Sequence, residues 1–322
     1  MKAAIVRESG KTPVFGDFED PAARGGEELI TVTAAALSQV TKSRASGSHY
    51  TAPGSLPAVV GIDGVGRTQD GRRMYFVMPK APFGGMAEKV TVRREQCVPL
   101  PGDVEDVTAA AIAIPGMSSW AALKERAHLA AGENVLINGA TGTAGRLAIQ
   151  ISKYMGAKRI IATGRDLAAL EQVKALGADA TISLLHSPDE LEKAFMEQFD
   201  GEGVDVVLDY LWGQSAEILI VAAAKAGKDE VPIRFVHIGA ASGGNITLPS
   251  AALRSSALVL MGSGIGSIPL EGLLGAIHGV MQAVVPAKLK IKTEIVPLAK
   301  VEETWNKDSG HSRVVFVVGQ PS

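Results

Sequence analysis

The stretch NVLINGATGTAGRLAIQISKYMGA, Asn134–Ala157, decides the fold. It opens on apolar residues suited to a buried strand, passes through Gly139, Gly142 and Gly145, and continues with apolar residues at helical spacing. A strand, a glycine-rich turn and a helix start together make an anion site. The first N–H groups of a helix lack an intrahelical partner, and its dipole favours negative charge there. Read in a dinucleotide-binding register, the motif is Ala140-x-Gly142-x-x-Gly145, with alanine where a first glycine usually stands and Gly139 one place upstream. The residues Gly139, Ala140, Thr141, Gly142, Thr143, Ala144 and Gly145 are therefore the candidate pyrophosphate cradle. The competing reading is a βα turn whose glycines serve packing alone.

Outward from this stretch, strands and helices alternate. Strands are expected at Arg159–Ala162, Ala180–Ser183, Val204–Asp209, Ile233–Ile238 and Leu258–Met261, and helices at Leu167–Leu176, Asp189–Phe199 and Ser215–Ala224. That order builds βαβ units and a mostly parallel sheet. The second strand ends ATGRD. Gly164 admits a ribose, and Arg165 offers a planar fork of donors to a 2′-phosphate, which favours NADPH over NADH. Asp166 is read as the N-cap of the next helix, not as a ribose-binding acid.

The first third looks different. KAAIVRE, ELITVTAAAL, RMYFVM and AEKVTVRREQCVPL are short strand-like runs between Gly, Pro and Asp turns, with no helices between them. A helical stretch, Asp106–Leu129 (DVTAAAIAIPGMSSWAALKERAHL), is expected to break at Pro115-Gly116. At the C-terminus, IKTEIVPL and RVVFVVG again read as strands and are expected to fold back onto the first third. The expected domains are 1–115 and 286–322, forming one discontinuous unit, with 116–285 inserted as the dinucleotide-binding unit.

The totals set bounds. A net charge of -2 gives no general attraction to nucleic acid or anionic membranes. One cysteine, Cys97, excludes a disulfide within the chain, and its setting reads as a small apolar filler. The start, MKAAIVRESGKTPVF, lacks a signal-peptide core, and no apolar run is long enough to cross a bilayer. A cytoplasmic location is expected.

Several further motifs occur in order. They are LPAVVGIDGVGRT (Leu56–Thr68), FGGMAEKVTV (Phe83–Val92), IPGMSSWAAL (Ile114–Leu123), VLINGATGTAG (Val135–Gly145), GAD (Gly177–Asp179), VDVVLDYLWG (Val204–Gly213) and FVHIGAASG (Phe235–Gly243). Together they resemble the medium-chain dehydrogenase/reductase superfamily, in its zinc-independent NADPH quinone oxidoreductase branch. The resemblance implies an α/β fold: a Rossmann-type doubly wound parallel sheet inserted into a discontinuous β-rich, GroES-like, barrel-like catalytic domain, with the active cleft between the two.

The resemblance also carries site roles. Ser118 matches a Thr or Ser that touches the cofactor, and Ile238, Gly239 and Ala240 begin a loop that lines the nicotinamide. Tyr50 resembles a tyrosine near the nicotinamide, with a spacing one residue longer. Ser38 and Thr41 stand where relatives often carry Asn and Asp, and they are the candidate catalytic hydroxyls. Zinc-dependent relatives hold their metal with a Cys and a His at positions that are Ser38 and Ile62 here. With one thiol and six scattered histidines, no metal is expected.

Without a Lewis acid the fitting acceptors are activated: a quinone or an α,β-unsaturated carbonyl that takes hydride directly. Two alternatives stand beside this reading. One is a 2-enoyl thioester or alkenal reductase of the same superfamily; the other is a non-catalytic NADPH-binding sensor or structural protein. The apolar run ALVLMG (Ala257–Gly262) would lie at the sheet edge, so a homodimer joined there is expected.

Overall fold

The computed structural model describes residues 1–49, 52, 54–308 and 310–319; Tyr50 lies outside them. The chain divides into two compact units, Met1–Ile114 with Ile291–Ser322, and Pro115–Lys290. In chain order the first part holds β1 (Lys2–Val6), β2 (Val14–Asp17), β3 (Glu27–Ala36), α1 (Gln39–Ala45), β4 (Ala58–Val59), β5 (Asp63–Thr68), β6 (Arg73–Val77), β7 (Lys89–Arg93) and β8 (Cys97–Pro99). Helix α2 (Asp106–Ala121) follows, then β9 (Asn134–Asn138), α3 (Thr143–Tyr154), β10 (Arg159–Gly164), α4 (Leu167–Lys174), β11 (Ala180–Ser183), α5 (Pro188–Asp200), β12 (Val206–Asp209), α6 (Gly213–Ala226) and β13 (Ile233–His237). The chain continues with α7 (Ser250–Arg254), β14 (Leu258–Gly262), α8 (Leu270–Ala283), β15 (Thr293–Pro297), α9 (Val301–Thr304) and β16 (Arg313–Val317).

In the β-rich unit, β2-β1-β4 form one sheet and β15-β16-β3-β5-β6-β8 a second, with β7 also paired to β3. The pairs are antiparallel except β15 with β16. Strand β3 shows why this sequence makes strands. Ile30 and Val32 alternate with polar Thr31, and the two apolar side chains pack with Phe76, Val90 and Val92. A second cluster, with Val6, Trp305, Val314 and Phe316, joins the C-terminal strands to the N-terminal ones.

Two expectations need correcting here. The first third is not free of helix, because α1 forms after Ser38, whose side chain accepts the Thr41 N–H. The stretch Asp106–Leu129 does not break at Pro115, which sits inside α2. The missing N–H costs one helix bond, but the fully buried run Ala109–Ala113 holds the helix on course. Irregularity comes later, as a π-helical turn over Ala122–Arg126.

The other unit carries a six-stranded parallel sheet ordered β11-β10-β9-β12-β13-β14. This is the doubly wound order, with its reversal between β9 and β12. All five residues of β9 are buried, as a central strand of such a sheet requires. Helix α3 buries Leu147, Ala148 and Ile151. Helix α5 starts with a full capping box between Ser187 and Glu190. The core under α5 and α6 gathers Phe195, Phe199, Leu219 and Phe235 around Leu136 and Val207. Among the described residues no helix is long and apolar enough to cross a membrane.

One buried carboxylate in the β-rich unit gives stability a pH dependence. Asp63 accepts the Tyr75 hydroxyl at 2.9 Å, while its other oxygen has no hydrogen-bond partner among the described residues. Burial pushes its pKa up to about 6, against the opposing pull of Arg313 and the Tyr75 bond. A carboxyl whose folded pKa lies above its unfolded value favours folding most while protonated. Its contribution is present below about pH 4 and is lost as pH rises toward 6. Thermal melts of the wild type and Asp63→Asn between pH 4 and 7 should show the variant gaining relative to the wild type up to about pH 6. A difference that does not change with pH would contradict the assignment.

Candidate functional site

The turn after β9 is built by close backbone approach. Gly139 has φ +92°, a conformation that side chains resist. A Cβ on Gly145 would run into the Gly139 carbonyl oxygen and would lie 2.6 Å from the Ala140 Cα. This glycine lets the first turn of α3 rest on the turn itself. Gly142 is different. It has an ordinary φ of −73°, is exposed, and a Cβ there would meet nothing nearer than the Gly139 oxygen at 3.9 Å. It is also the N-cap of α3, and among the described residues no side chain caps that end. The open space over Gly142 and the uncapped amides of Thr143, Ala144 and Gly145 fit a phosphate. Arg146 turns back, its Nε donating to the Thr141 carbonyl at 2.9 Å.

At the end of β10, a Cβ on Gly164 would lie 2.5 Å from the Thr141 side chain, so these two neighbouring turns touch. Arg165 is exposed, and among the described residues no hydrogen bond or ion pair engages its guanidinium. Asp166 caps α4, accepting the Ala169 N–H at 3.0 Å. Arg165 and the amides that start α3 follow the ends of adjacent strands, β10 and β9.

A buried polar network fixes these strand ends. Thr163 accepts the Gly139 N–H at 3.1 Å and donates to Asn138 Oδ1 at 2.8 Å. Asn138 donates to Asp209 at 2.9 Å and to Ser215 at 3.1 Å. Asp209, fully buried, also accepts the Leu211 and Trp212 N–H groups and pairs with His237 Nδ1 at 3.2 Å. Every member is partnered, which is the condition for a buried network to rigidify. The same bonds hold Trp212 at φ +57°, with its ring 4.3 Å from His237. A tryptophan in the left-handed region is strained, and such strain persists where the surroundings over-determine it.

The remaining cofactor candidates gather around Tyr210. Ile238 and Gly239 donate their N–H groups to the Asp209 carbonyl, and Ala241 donates to the Tyr210 carbonyl at 3.2 Å. Ala240 is exposed between them. Ser118 donates its hydroxyl to the Pro115 carbonyl at 2.8 Å, and its neighbour Ser119 bonds the Tyr210 hydroxyl at 2.8 Å. Burial pushes the Tyr210 phenol up to about 12, against its serine hydrogen bonds. Sequence reading passed over Tyr210, Ser119 and the Asn138–Thr163–Asp209 network. A buried Asp closing the apolar run VVLD was the available signal for the last.

Ser38 and Thr41 belong to the β-rich unit. Both are buried, their hydroxyls 2.8 Å apart, with Ser38 also serving as the α1 cap. Among the described residues no three His, Cys, Asp or Glu side chains gather as a metal site. Ile62 is fully buried. Cys97 is half-buried, and burial pushes its thiol up to about 11.

Known proteins resemble this chain in sequence and in fold. Residues 144–277 match the family of zinc-binding dehydrogenases. A probable NADPH-dependent quinone reductase, tdiC of Emericella nidulans, is 28% identical over 98% of this chain and 100% of its own length. The quinone oxidoreductase of Thermus thermophilus, solved also in complex with NADPH, superposes with a TM-score of 0.80 at 26% identity, covering 98% of this chain and 100% of that one. A phenolphthiocerol/phthiocerol polyketide synthase subunit of Mycobacterium tuberculosis is 29% identical over 67% of this chain, which spans only 10% of that protein.

The contact under Gly145 has a measurable cost. Gly145→Ala should lower stability by about 1–3 kcal/mol through overpacking, read as a fall in Tm. An unchanged Tm would show that the turn relaxes freely.

Proposed function

We propose that this chain is a medium-chain dehydrogenase/reductase and that it reduces a quinone or an α,β-unsaturated carbonyl with NADPH and without zinc. The observation that carries the reading is Gly142. It has no packing reason to be glycine, and it fronts the uncapped start of α3. A pyrophosphate against the main chain supplies the missing reason.

When bound, NADPH supplies the hydride. The chain's own part is to hold it. The amides of Thr143, Ala144 and Gly145 take the pyrophosphate, and Arg165, with its guanidinium free, takes the 2′-phosphate. Asp166 does not compete for the ribose as a free acid would, because it is committed to capping α4. The segment Ile238–Ala240, tied to the Asp209 and Tyr210 carbonyls, lines the nicotinamide side. Zinc is not needed for an acceptor whose reduced anion is already delocalised. The positions that hold it in zinc-dependent relatives are a capping hydroxyl, Ser38, and a buried isoleucine, Ile62. Ser38 and Thr41 are the β-rich unit's candidates for donors to the acceptor's oxygen. The relative from Emericella nidulans bears a name of the same activity.

We further propose a homodimer through β14. This strand ends the parallel sheet, and Val259 on it and Leu253 before it are more than two-fifths exposed. An open apolar edge favours pairing. Sedimentation at micromolar concentration should give twice the chain mass of 33.5 kDa; a monomer would contradict this.

Binding and turnover test the main reading. Gly142→Val should cost no more than about 1 kcal/mol of stability, the scale of a poorer N-cap residue, and lose most NADPH affinity, because its side chain would occupy the phosphate's place. Arg165→Ala should weaken NADPH by about 1–3 kcal/mol, the scale of a lost charge-assisted bond, and leave NADH little changed. The wild type should oxidise NADPH with quinones or enones. Equal losses for both cofactors in Arg165→Ala would defeat the 2′-phosphate assignment. NADPH binding without turnover on any activated acceptor would defeat the enzyme reading.

A further inference from the structure

Tyr210 directly follows β12, and its hydroxyl reaches Ser119 on α2. Its N–H donates to the Asn138 carbonyl at 3.1 Å, next to the glycine turn, and its carbonyl accepts from Ala241 in the loop after β13. Its hydroxyl is 2.8 Å from Ser119 Oγ, which is itself 3.2 Å from the Pro115 carbonyl. Ser118 shares that carbonyl at 2.8 Å.

The protons in this chain have two arrangements. When Ser119 donates to Pro115, the Tyr210 proton goes to Ser119, and Tyr210 Oη has only lone pairs to offer a ligand. When Ser119 turns to donate to Tyr210, the Tyr210 proton is released for a ligand acceptor. Tyr210 therefore serves a partner of either polarity at one fixed position.

The doubly wound order says which part of a dinucleotide meets it. In folds of this order the two halves of a dinucleotide lie on opposite sides of the reversal, which here falls between β9 and β12. Gly164 and Arg165, at the end of β10, take the adenosine side. The ends of β12 and β13 take the other. The nicotinamide riboside bears both donors, in its amide N–H and ribose hydroxyls, and an acceptor, in its amide oxygen.

We infer that the Tyr210–Ser119 hydroxyl pair docks the nicotinamide-riboside half of the cofactor, with Tyr210 Oη in direct contact with it. This inference rests on the dinucleotide reading above and goes further, by assigning an anchor for the reactive half that is separate from the phosphate cradle. A purely structural pair would support both halves of the site alike.

The test uses two ligands, NADPH and adenosine 2′,5′-bisphosphate, which keeps the adenosine and its 2′-phosphate but lacks the nicotinamide riboside. Affinities are measured by calorimetry for the wild type, Tyr210→Phe and Ser119→Ala. Both variants should bind NADPH about tenfold more weakly, as for a lost neutral hydrogen bond, while their affinity for the bisphosphate stays within about twofold. Unchanged NADPH affinity, or equal losses for both ligands, would overturn the inference and leave the dinucleotide reading standing. If the wild type binds neither ligand, the dinucleotide reading fails and takes this inference with it. Each substitution deletes one hydroxyl, and Ser119→Ala carries the test should Tyr210→Phe fold poorly.

Discussion

The start of α3 has a row of backbone amides that no side chain caps, facing open space above a glycine. This constraint organises the rest of the parallel-sheet unit. Burying those donors without a partner would be costly, and either water or the oxygens of a ligand can serve them. Gly145 brings the helix down onto its own turn, and Gly139 bends the chain to allow it. Gly142 leaves the space that the other two create. Three glycines in seven residues thus have three different physical reasons, and only one of them points outside the protein.

The turn would be of little use if the strand ends around it moved. The hydrogen-bonded set from Gly139 through Thr163 and Asn138 to Asp209 links β9, β10 and β12 at the strand ends where the proposed cofactor would register with them. Asp209 extends the set to His237 on β13 and holds Trp212 in a strained backbone conformation. A buried carboxylate is tolerated because several donors surround it. The arrangement is a rigid frame beneath a site whose own contacts are mostly backbone.

Much of this was legible in the sequence, for reasons that differ by element. The parallel sheet could be read because β9 through β14 are short apolar runs separated by helices of regular length. The role of Asp166 could be read because capping is local chemistry. Pro115 misled because its effect on a helix was judged locally, while the buried run Ala109–Ala113 decides it through packing. Helix α1 was missed because its seven residues carry no apolar stripe. Only Ser38, three residues before Thr41, marks its start. Tyr210 and Ser119 are 91 positions apart; each lies in a motif quoted above, VDVVLDYLWG and IPGMSSWAAL, but no spacing links the two. Their meeting depends on the path of α2, which the expected break at Pro115 obscured.

The central claim is that a pyrophosphate lies on the main chain at the first turn of α3. A crystal structure of the protein grown with NADPH tests it directly. The account predicts pyrophosphate oxygens within hydrogen-bond distance of the Thr143, Ala144 and Gly145 amides, directly over Gly142. A cofactor bound at any other place, or well-ordered crystals that take up none at saturating concentration, would contradict it.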